Sequence, residues 1–319
     1  MVKKYVFGPV ASRRLGVSLG VDLVTPKTCS LNCVYCEARE TTLLTLERRE
    51  YVPVDRVLEE LDAVLKEAPQ IDYVTFSGSG EPTLNSRIGD VVSFLKSRYP
   101  QYKICLLTNG LLLGDKKLQQ DIAQVDLLIP SLDASDAGEF EAINRPVRDI
   151  SFEDYVSGMT EYIANAPMRV DLELFILPGV NDSDESIERF KKLIAEMAPD
   201  RVQLNTLDRP GAVEGLRSAD VATIRRFISA LEVVVSVEAV GKFRYRTPSP
   251  GNKVLPATEL EAQIMELISR RPATLPDLSL ALNIPEAEMQ RLMDWLFERG
   301  CVGIAREDRG VFYLPMGDK

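Results

Sequence analysis

From Val17 to Val237 short apolar runs rich in β-branched residues alternate with amphipathic helical stripes, and few folds accommodate that alternation. Val17–Val24 reads as a strand. Val54, Val57, Leu58, Leu61, Val64 and Leu65 then repeat at the i, i+3, i+4, i+7 spacing of a helix with one buried face. The same reading gives strands at 71–77, 102–108, 126–131, 169–177 and 201–206. Helices are expected at 88–99, 115–123, 152–165, 184–197 and 220–231, with an edge strand over 233–237. Six βα units in a row imply a parallel sheet with right-handed crossovers, either doubly wound or curled into a partial barrel. In both, ligands gather beyond the carboxyl ends of the strands, so chemically unusual residues belong there.

The unusual residues do fall there. Cys29-Ser30-Leu31-Asn32-Cys33-Val34-Tyr35-Cys36 follows the first of these strands and gathers three of the chain's five cysteines. Five cysteines are too few for a disulfide framework in 319 residues, and clustering points to metal in a reducing, cytoplasmic setting. A structural zinc ion needs four ligands, usually Cys or His, yet the chain has no histidine and its other cysteines are distant. Three thiolates on one loop instead suit three irons of a cubane, leaving a fourth iron open to a small ligand. Without imidazole, proton transfer falls to carboxylate, Lys, Tyr, Cys or water. A net charge of −10 disfavours nucleic acid and anionic membranes unless a local basic patch intervenes. No run of eighteen apolar residues suggests a membrane span, and no apolar segment near Met1 suggests a signal peptide.

The C-x₃-C-x₂-C spacing, with Tyr35 just before the last cysteine, resembles the signature of the radical SAM superfamily over about the first 240 residues. The resemblance implies a partial (β/α)6 TIM-like barrel and two cofactors, a [4Fe–4S] cluster and S-adenosylmethionine (SAM). Cys29, Cys33 and Cys36 would hold the cluster. Its open iron would chelate the amino and carboxylate groups of SAM, and electron transfer would break the S–C5′ bond, giving methionine and a 5′-deoxyadenosyl radical. Tyr35 would lie near the adenine.

Three later strand ends carry matching features. Ser77-Gly78-Ser79-Gly80-Glu81 has glycines that allow close backbone approach and a carboxylate that can accept from an ammonium. It resembles the family's GGE motif, with Ser79 or Gly80 in the place of the second glycine, so Gly78, Gly80 and Glu81 are expected to meet the methionine moiety. Asn109 ends the third strand. Ser131 and Asp133 share a strand face at the end of the fourth and suit ribose hydroxyls and the methionine carboxylate. Arg145, in Ile143-Asn144-Arg145-Pro146, resembles an arginine that contacts the SAM carboxylate. On the fifth strand Asp171, Glu173 and Phe175 alternate with four aliphatics, placing the carboxylates in the lumen beside Gln203 and Asn205 of the sixth. Glu173, Gln203 and Asn205 are therefore candidates to touch substrate.

Arg13 and Arg14, in Val6–Gly16, are candidates to meet an anionic substrate, and this stretch resembles a branch loosely related to the tRNA wyosine-base synthases. Those enzymes carry a second cluster on cysteines before the SAM motif. No cysteine precedes Cys29, so one cluster is expected, with Cys105 and Cys301 as buried structural thiols. The division expected is a core over 1–240, a Pro- and Gly-rich linker over 241–256, and a module over 257–319. Three helices, the first opened by Thr258 and Glu261 as a capping box, then two strands around the turn 307–310, give that module the layout of a winged helix-turn-helix. From 256 to 319 eleven acidic side chains face seven basic ones, a net −4, and Glu286 and Glu288 open the third helix, so DNA reading is disfavoured. The expectation is a radical SAM enzyme acting on a macromolecule, with protein or peptide favoured over RNA and an electron donor such as flavodoxin or ferredoxin. A non-enzymatic iron–sulfur regulator is the remaining alternative.

Overall fold

The computed structural model describes residues 4–12, 14–240, 257–282, 284–307 and 310–316, with the side chains of 11 and 257–259 excluded. Arg13, the linker 241–256, the Thr258 side chain and part of the 307–310 turn therefore lie outside the described residues.

The strands in order are β1 (Val6–Ser12), β2 (Gly16–Val21), the short pair β3 (Thr28–Cys29) and β4 (Leu43–Leu44), β5 (Tyr73–Phe76), β6 (Lys103–Thr108), β7 (Leu127–Pro130), β8 (Arg169–Ile176), β9 (Arg201–Thr206) and β10 (Val237–Ala239). The helices among them are α1 (Val54–Leu65), α2 (Ile88–Arg98), α3 (Lys116–Asp121), α4 (Ala137–Ile143), α5 (Phe152–Ile163), α6 (Asp184–Met197) and α7 (Val221–Leu231). One sheet runs β1-β2-β5-β6-β7-β8-β9-β10, all parallel from β2 onward, with β1 antiparallel at the edge.

The helices start where side chains can satisfy free N–H groups. Asp115, Asp136, Ser151, Ser183 and Asp220 each accept from the first turn that follows them. Val54, Val57, Leu61 and Leu65 of α1 form the buried stripe read from the sequence. With Val170, Leu172, Leu174 and Ile176 of β8 they belong to one apolar layer between sheet and helices.

The sheet curls. Arg14, in the turn between β1 and β2, reaches across to Glu173 on β8 and Gln203 on β9, which a flat sheet of this order would hold far apart. Inside the curve, Leu15, Cys105, Leu127 and Ile129 form a small apolar cluster of their own. This is the partial barrel with its rim at the carboxyl ends of the strands. Cys105 is fully buried in that cluster, whereas Cys301 is only partly buried.

Three local expectations change. Val234 and Val235 donate back to the Leu231 carbonyl in the turn that follows α7, and the edge strand begins later, at Val237. Strand β1 and helix α4 were not read from the sequence. Both are short, and β1 contains Gly and Pro that mask its pattern.

The C-terminal region holds α8 (Ala257–Arg270), β11 (Ala273–Thr274), α9 (Leu275–Leu282), α10 (Glu286–Glu298), β12 (Val302–Glu307) and β13 (Gly310–Pro315), with sheet order β11-β13-β12. Its core, including Ile264, Leu278, Met289, Met293 and Val302, is separate from that of the barrel. Thus β11 adds a strand to the expected hairpin. No helix among the described residues is long and apolar enough to cross a membrane.

Leu172 is fully buried at the centre of the sheet. Leu172→Ala should cost about 2–5 kcal/mol through lost burial and an unfilled cavity, read as a lower urea midpoint with an unchanged slope.

Candidate functional site

The cysteine loop leaves the barrel rim after β2 and is pinned on two sides. Pairing of β3 with β4 closes its base, and Thr45 N–H donates to the Cys29 carbonyl. On the other side the segment after α4 braces it: Asn32 N–H donates to the Asn144 carbonyl, Val34 N–H to Ile143, and Leu31 bridges Pro146. Arg145 belongs to this brace, with a positive φ of 44°, and its backbone carries its contribution.

Cys29, Cys33 and Cys36 all line one cavity of about 230 Å³. Each sulfur has its own nitrogen donor. Asn109 Nδ2 lies 3.5 Å from Cys29 Sγ, Asn144 Nδ2 3.4 Å from Cys33 Sγ, and Lys27 Nζ 3.3 Å from Cys36 Sγ. Burial, then the nearby Glu81 charge, pushes the Cys29 thiol up to about 12, and burial with Asp133 pushes Cys33 up as well. No group of three His, Cys, Asp or Glu side chains among the described residues is arranged to hold a single metal ion. Thiolates of a cubane bind different irons, so three sulfurs spread over one loop fit a cluster better than a mononuclear site.

The turn after β5 forms the next wall. Gly78 has φ +127°, and a Cβ there would stand 1.6 Å from Asp22 Oδ1, so only glycine lets this turn wrap around that carboxylate. Gly80 is equally constrained, because a Cβ would meet the Thr28 carbonyl at 2.1 Å. Glu81 is buried and takes Thr83 N–H, the Thr83 and Thr108 hydroxyls, and Asn109 N–H. Burial raises its pKa against the pull of those donors. Gly78, Gly80, Glu81, Asn109 and Ser131 all line the cavity, together with Tyr35 and Glu173.

Asp133 is placed differently. It is buried and accepts from Tyr35 Oη at 2.5 Å, Asn144 Nδ2 at 2.9 Å and Phe175 N–H at 3.3 Å. Tyr35 also stacks on Phe175, ring centroids 3.8 Å apart. Burial lifts the Asp133 pKa to about 7 against these bonds. Asp133 and Arg145 are outside the cavity wall, and the polar atoms of Asp133 are directed to the cysteine loop.

The lumen below is charged. Arg14 makes a two-pronged contact with Glu173, and Asn205 donates to Glu173 at 2.7 Å. Burial works to lower the Arg14 pKa, but Glu173 outweighs it and raises it. Gln203 turns to Asp171 and accepts weakly from Arg14. The structure thus joins Arg14, Glu173, Gln203 and Asn205 in one network, while Arg13 lies outside the described residues.

Lys27, Asn144, Asp22 and Arg209 also bear on the site and were not singled out from the sequence. Asn144 stands beside Arg145 in a stretch read for its arginine. Lys27 lies two residues before Cys29, where proximity to the motif was the available signal.

Comparison with known proteins meets this geometry at its centre. The sequence profile of the radical SAM superfamily matches residues 23–191, more than half the chain and all of the cysteine loop. The chain belongs to the radical SAM superfamily. It is 29% identical to a UPF0026 protein of Methanocaldococcus jannaschii over 97% of this chain and 95% of that one. A UPF0026 protein of Synechocystis is 32% identical, covering 64% of this chain and 76% of the relative. A Brachyspira hyodysenteriae protein named GTPase Obg is 34% identical over 94% of this chain, which spans only 43% of that relative. A solved radical SAM methyltransferase from Sphaerobacter thermophilus shares the fold, with a TM-score of 0.56, 21% identity and coverage of 70% of this chain and 66% of that one. The chain is therefore a radical SAM superfamily enzyme with a partial TIM-like barrel.

The lumen pair gives a direct check. Arg14→Leu removes a two-pronged cation from a largely buried carboxylate and should cost about 3 kcal/mol. Adding Glu173→Gln should recover much of that loss, a coupling visible in a double-mutant cycle of urea unfolding.

Proposed function

We propose that Cys29, Cys33 and Cys36 hold one [4Fe–4S] cluster, and that SAM binds beside it in the cavity walled by Gly78, Gly80, Glu81, Asn109 and Ser131. The observation that carries this reading is the meeting of the three thiols, each with its own nitrogen donor, with that glycine turn in one cavity. When bound, the cluster supplies the electron that breaks the S–C5′ bond of SAM. The chain's residues do the rest. Gly78 and Gly80 let backbone approach the ligand, and Glu81 Oε2, which accepts from Asn109 N–H at 2.7 Å, keeps capacity to accept from an ammonium. Asn144 and Tyr35, both bonded to Asp133, fix the loop that carries Cys33. Raised thiol pKa values mean that metal binding at Cys29 and Cys33 expels protons, so loading should favour higher pH.

The substrate in this reading is a macromolecule, with protein or peptide favoured over RNA by the net acidic C-terminal region, taken as a winged helix-turn-helix domain over 257–319. A flavodoxin or ferredoxin type of protein would supply the electron in a cytoplasmic setting. Among sequence relatives, the names range from a ribosomal RNA large subunit methyltransferase to a GTP 3′,8-cyclase, at 22% and 27% identity, so kinship leaves the substrate open.

Protein reconstituted without oxygen and reduced with dithionite should convert SAM to 5′-deoxyadenosine and methionine. Cys33→Ala should abolish this and lower bound iron, while tight cluster binding without SAM cleavage in the wild type would favour the regulator. Capture of bound polypeptide or RNA then separates the two substrate classes. Asn144→Leu removes an N–H donor from a sulfur and should lower the cluster's midpoint potential. The shift expected in a redox titration followed by electron paramagnetic resonance is on the order of 40 mV, equivalent to about 1 kcal/mol for one electron.

A further inference from the structure

The cysteine cavity adjoins a second one of about 300 Å³, for Cys36, Ala38, Ser77, Gly78 and Leu107 line both. The far wall of the second cavity comes from the C-terminal region, including Leu267 and Arg270 of α8 and Asp277, Leu278 and Ala281 of α9. Two arginines, Arg209 buried and Arg270 partly buried, fasten this wall to the barrel. Arg209, just past β9, pairs with Asp277 of α9 at 2.9 Å and with Glu37 of the cysteine loop at 3.3 Å. Arg270, in the last turn of α8, pairs with Asp22 and lies 3.8 Å over the Phe7 ring.

Asp22 is the informative partner. It is only 3% exposed and stands immediately after β2. Its Oδ2 takes the Arg270 guanidinium, and its Oδ1 takes Ser79 N–H at 3.1 Å, inside the glycine turn. Gly78 leaves room for that same oxygen, as its missing Cβ shows. One carboxylate therefore joins the C-terminal region to the turn that walls the first cavity. A buried carboxylate that loses its cation must rotate toward solvent or take a proton; rotation releases Ser79, and protonation leaves Oδ1 a weaker, uncharged acceptor for the Ser79 N–H.

We propose that Arg270 is a positioning residue for SAM: by holding Asp22 it fixes the 77–81 turn, and this couples seating of the C-terminal region to occupancy of the SAM cavity. The proposal rests on the reading of that cavity as the SAM site. Coupling of this kind is reciprocal, so SAM must tighten the C-terminal contact by the factor with which the contact tightens SAM.

The test uses full-length protein with its cluster reconstituted. In equilibrium dialysis Arg270→Gln should bind SAM about tenfold more weakly, at the low end for an outer partner of a binding group, with bound iron unchanged. Arg270→Lys, which keeps a cation for Asp22, should recover most of the affinity. Hydrogen exchange of the wild type should show SAM slowing amides over 267–281, and this protection should vanish in Arg270→Gln. Equal SAM affinity in a folded, iron-loaded Arg270→Gln would overturn the proposal. So would wild-type exchange over 267–281 that ignores bound SAM, a measurement that needs no variant to fold. Wild type that carries its cluster yet binds no SAM would instead overturn the reading of the cavity itself.

Discussion

A buried carboxylate at the end of β7 holds the cysteine loop to the barrel. Asp133 gathers the Tyr35 hydroxyl, the Asn144 amide and the Phe175 N–H, which come from three separate parts of the chain. Burying such a group is costly unless its lone pairs are filled, and here the structure fills them with the elements that must be fixed. Tyr35 brings the cysteine loop, Asn144 the brace after α4, and Phe175 the inner face of β8. The same Asn144 then donates to Cys33. The site's order thus flows from one desolvated group outward, and the sheet's curvature makes that convergence possible.

The barrel was largely legible because its helices and strands bury long periodic faces. Val54–Leu65 and Arg169–Ile176 follow the 3.6 and 2.0 residue periods closely, and the helices that follow Ser151, Ser183 and Asp220 begin at recognisable caps. Strand β1 escaped because it is an edge strand whose Gly8 and Pro9 interrupt the alternation, and α4 because seven residues hold barely two turns. Within the site, residues that act by type at a strand end were readable: the cysteines, Gly78, Gly80, Glu81, Asn109 and Ser131 share one cavity. Residues that act through geometry were not. Asp133 has the right type and position, yet its neighbours turn it toward Tyr35. Asn144 gains its place from the backbone brace, and Asp22 from an arginine 248 positions away. No local pattern encodes such partners.

The electrostatics divide the barrel into two levels. Deep in the lumen Arg14 pairs with Glu173, and Asn205 donates to the same carboxylate at 2.7 Å. At the rim the balance is negative: Glu81 and Asp133 lie near thiols whose pKa values burial already raises. Buried thiolates beside carboxylates are unstable alone, so this rim suits a cationic occupant and resists ionising without one. Lys27 brings a cation to this rim, with its Nζ 3.3 Å from Cys36 Sγ. The site is therefore built to gain stability on loading, which ties cysteine deprotonation, metal capture and ordering of the loop into one equilibrium.

That linkage also bears on the ion pairs that fasten the C-terminal region to the barrel. Hydrophobic burial at the seam would hold it shut whatever the site contained. A buried pair is different: its desolvation cost nearly offsets its attraction, so small changes in geometry shift its net worth. Among the described residues the buried Nε of Arg209 and of Arg270 has no hydrogen-bond partner. The carboxylates they hold, Glu37 and Asp22, are rooted in the cysteine loop and against the glycine turn. A contact so balanced, and so rooted, responds to what happens in the cavity it closes.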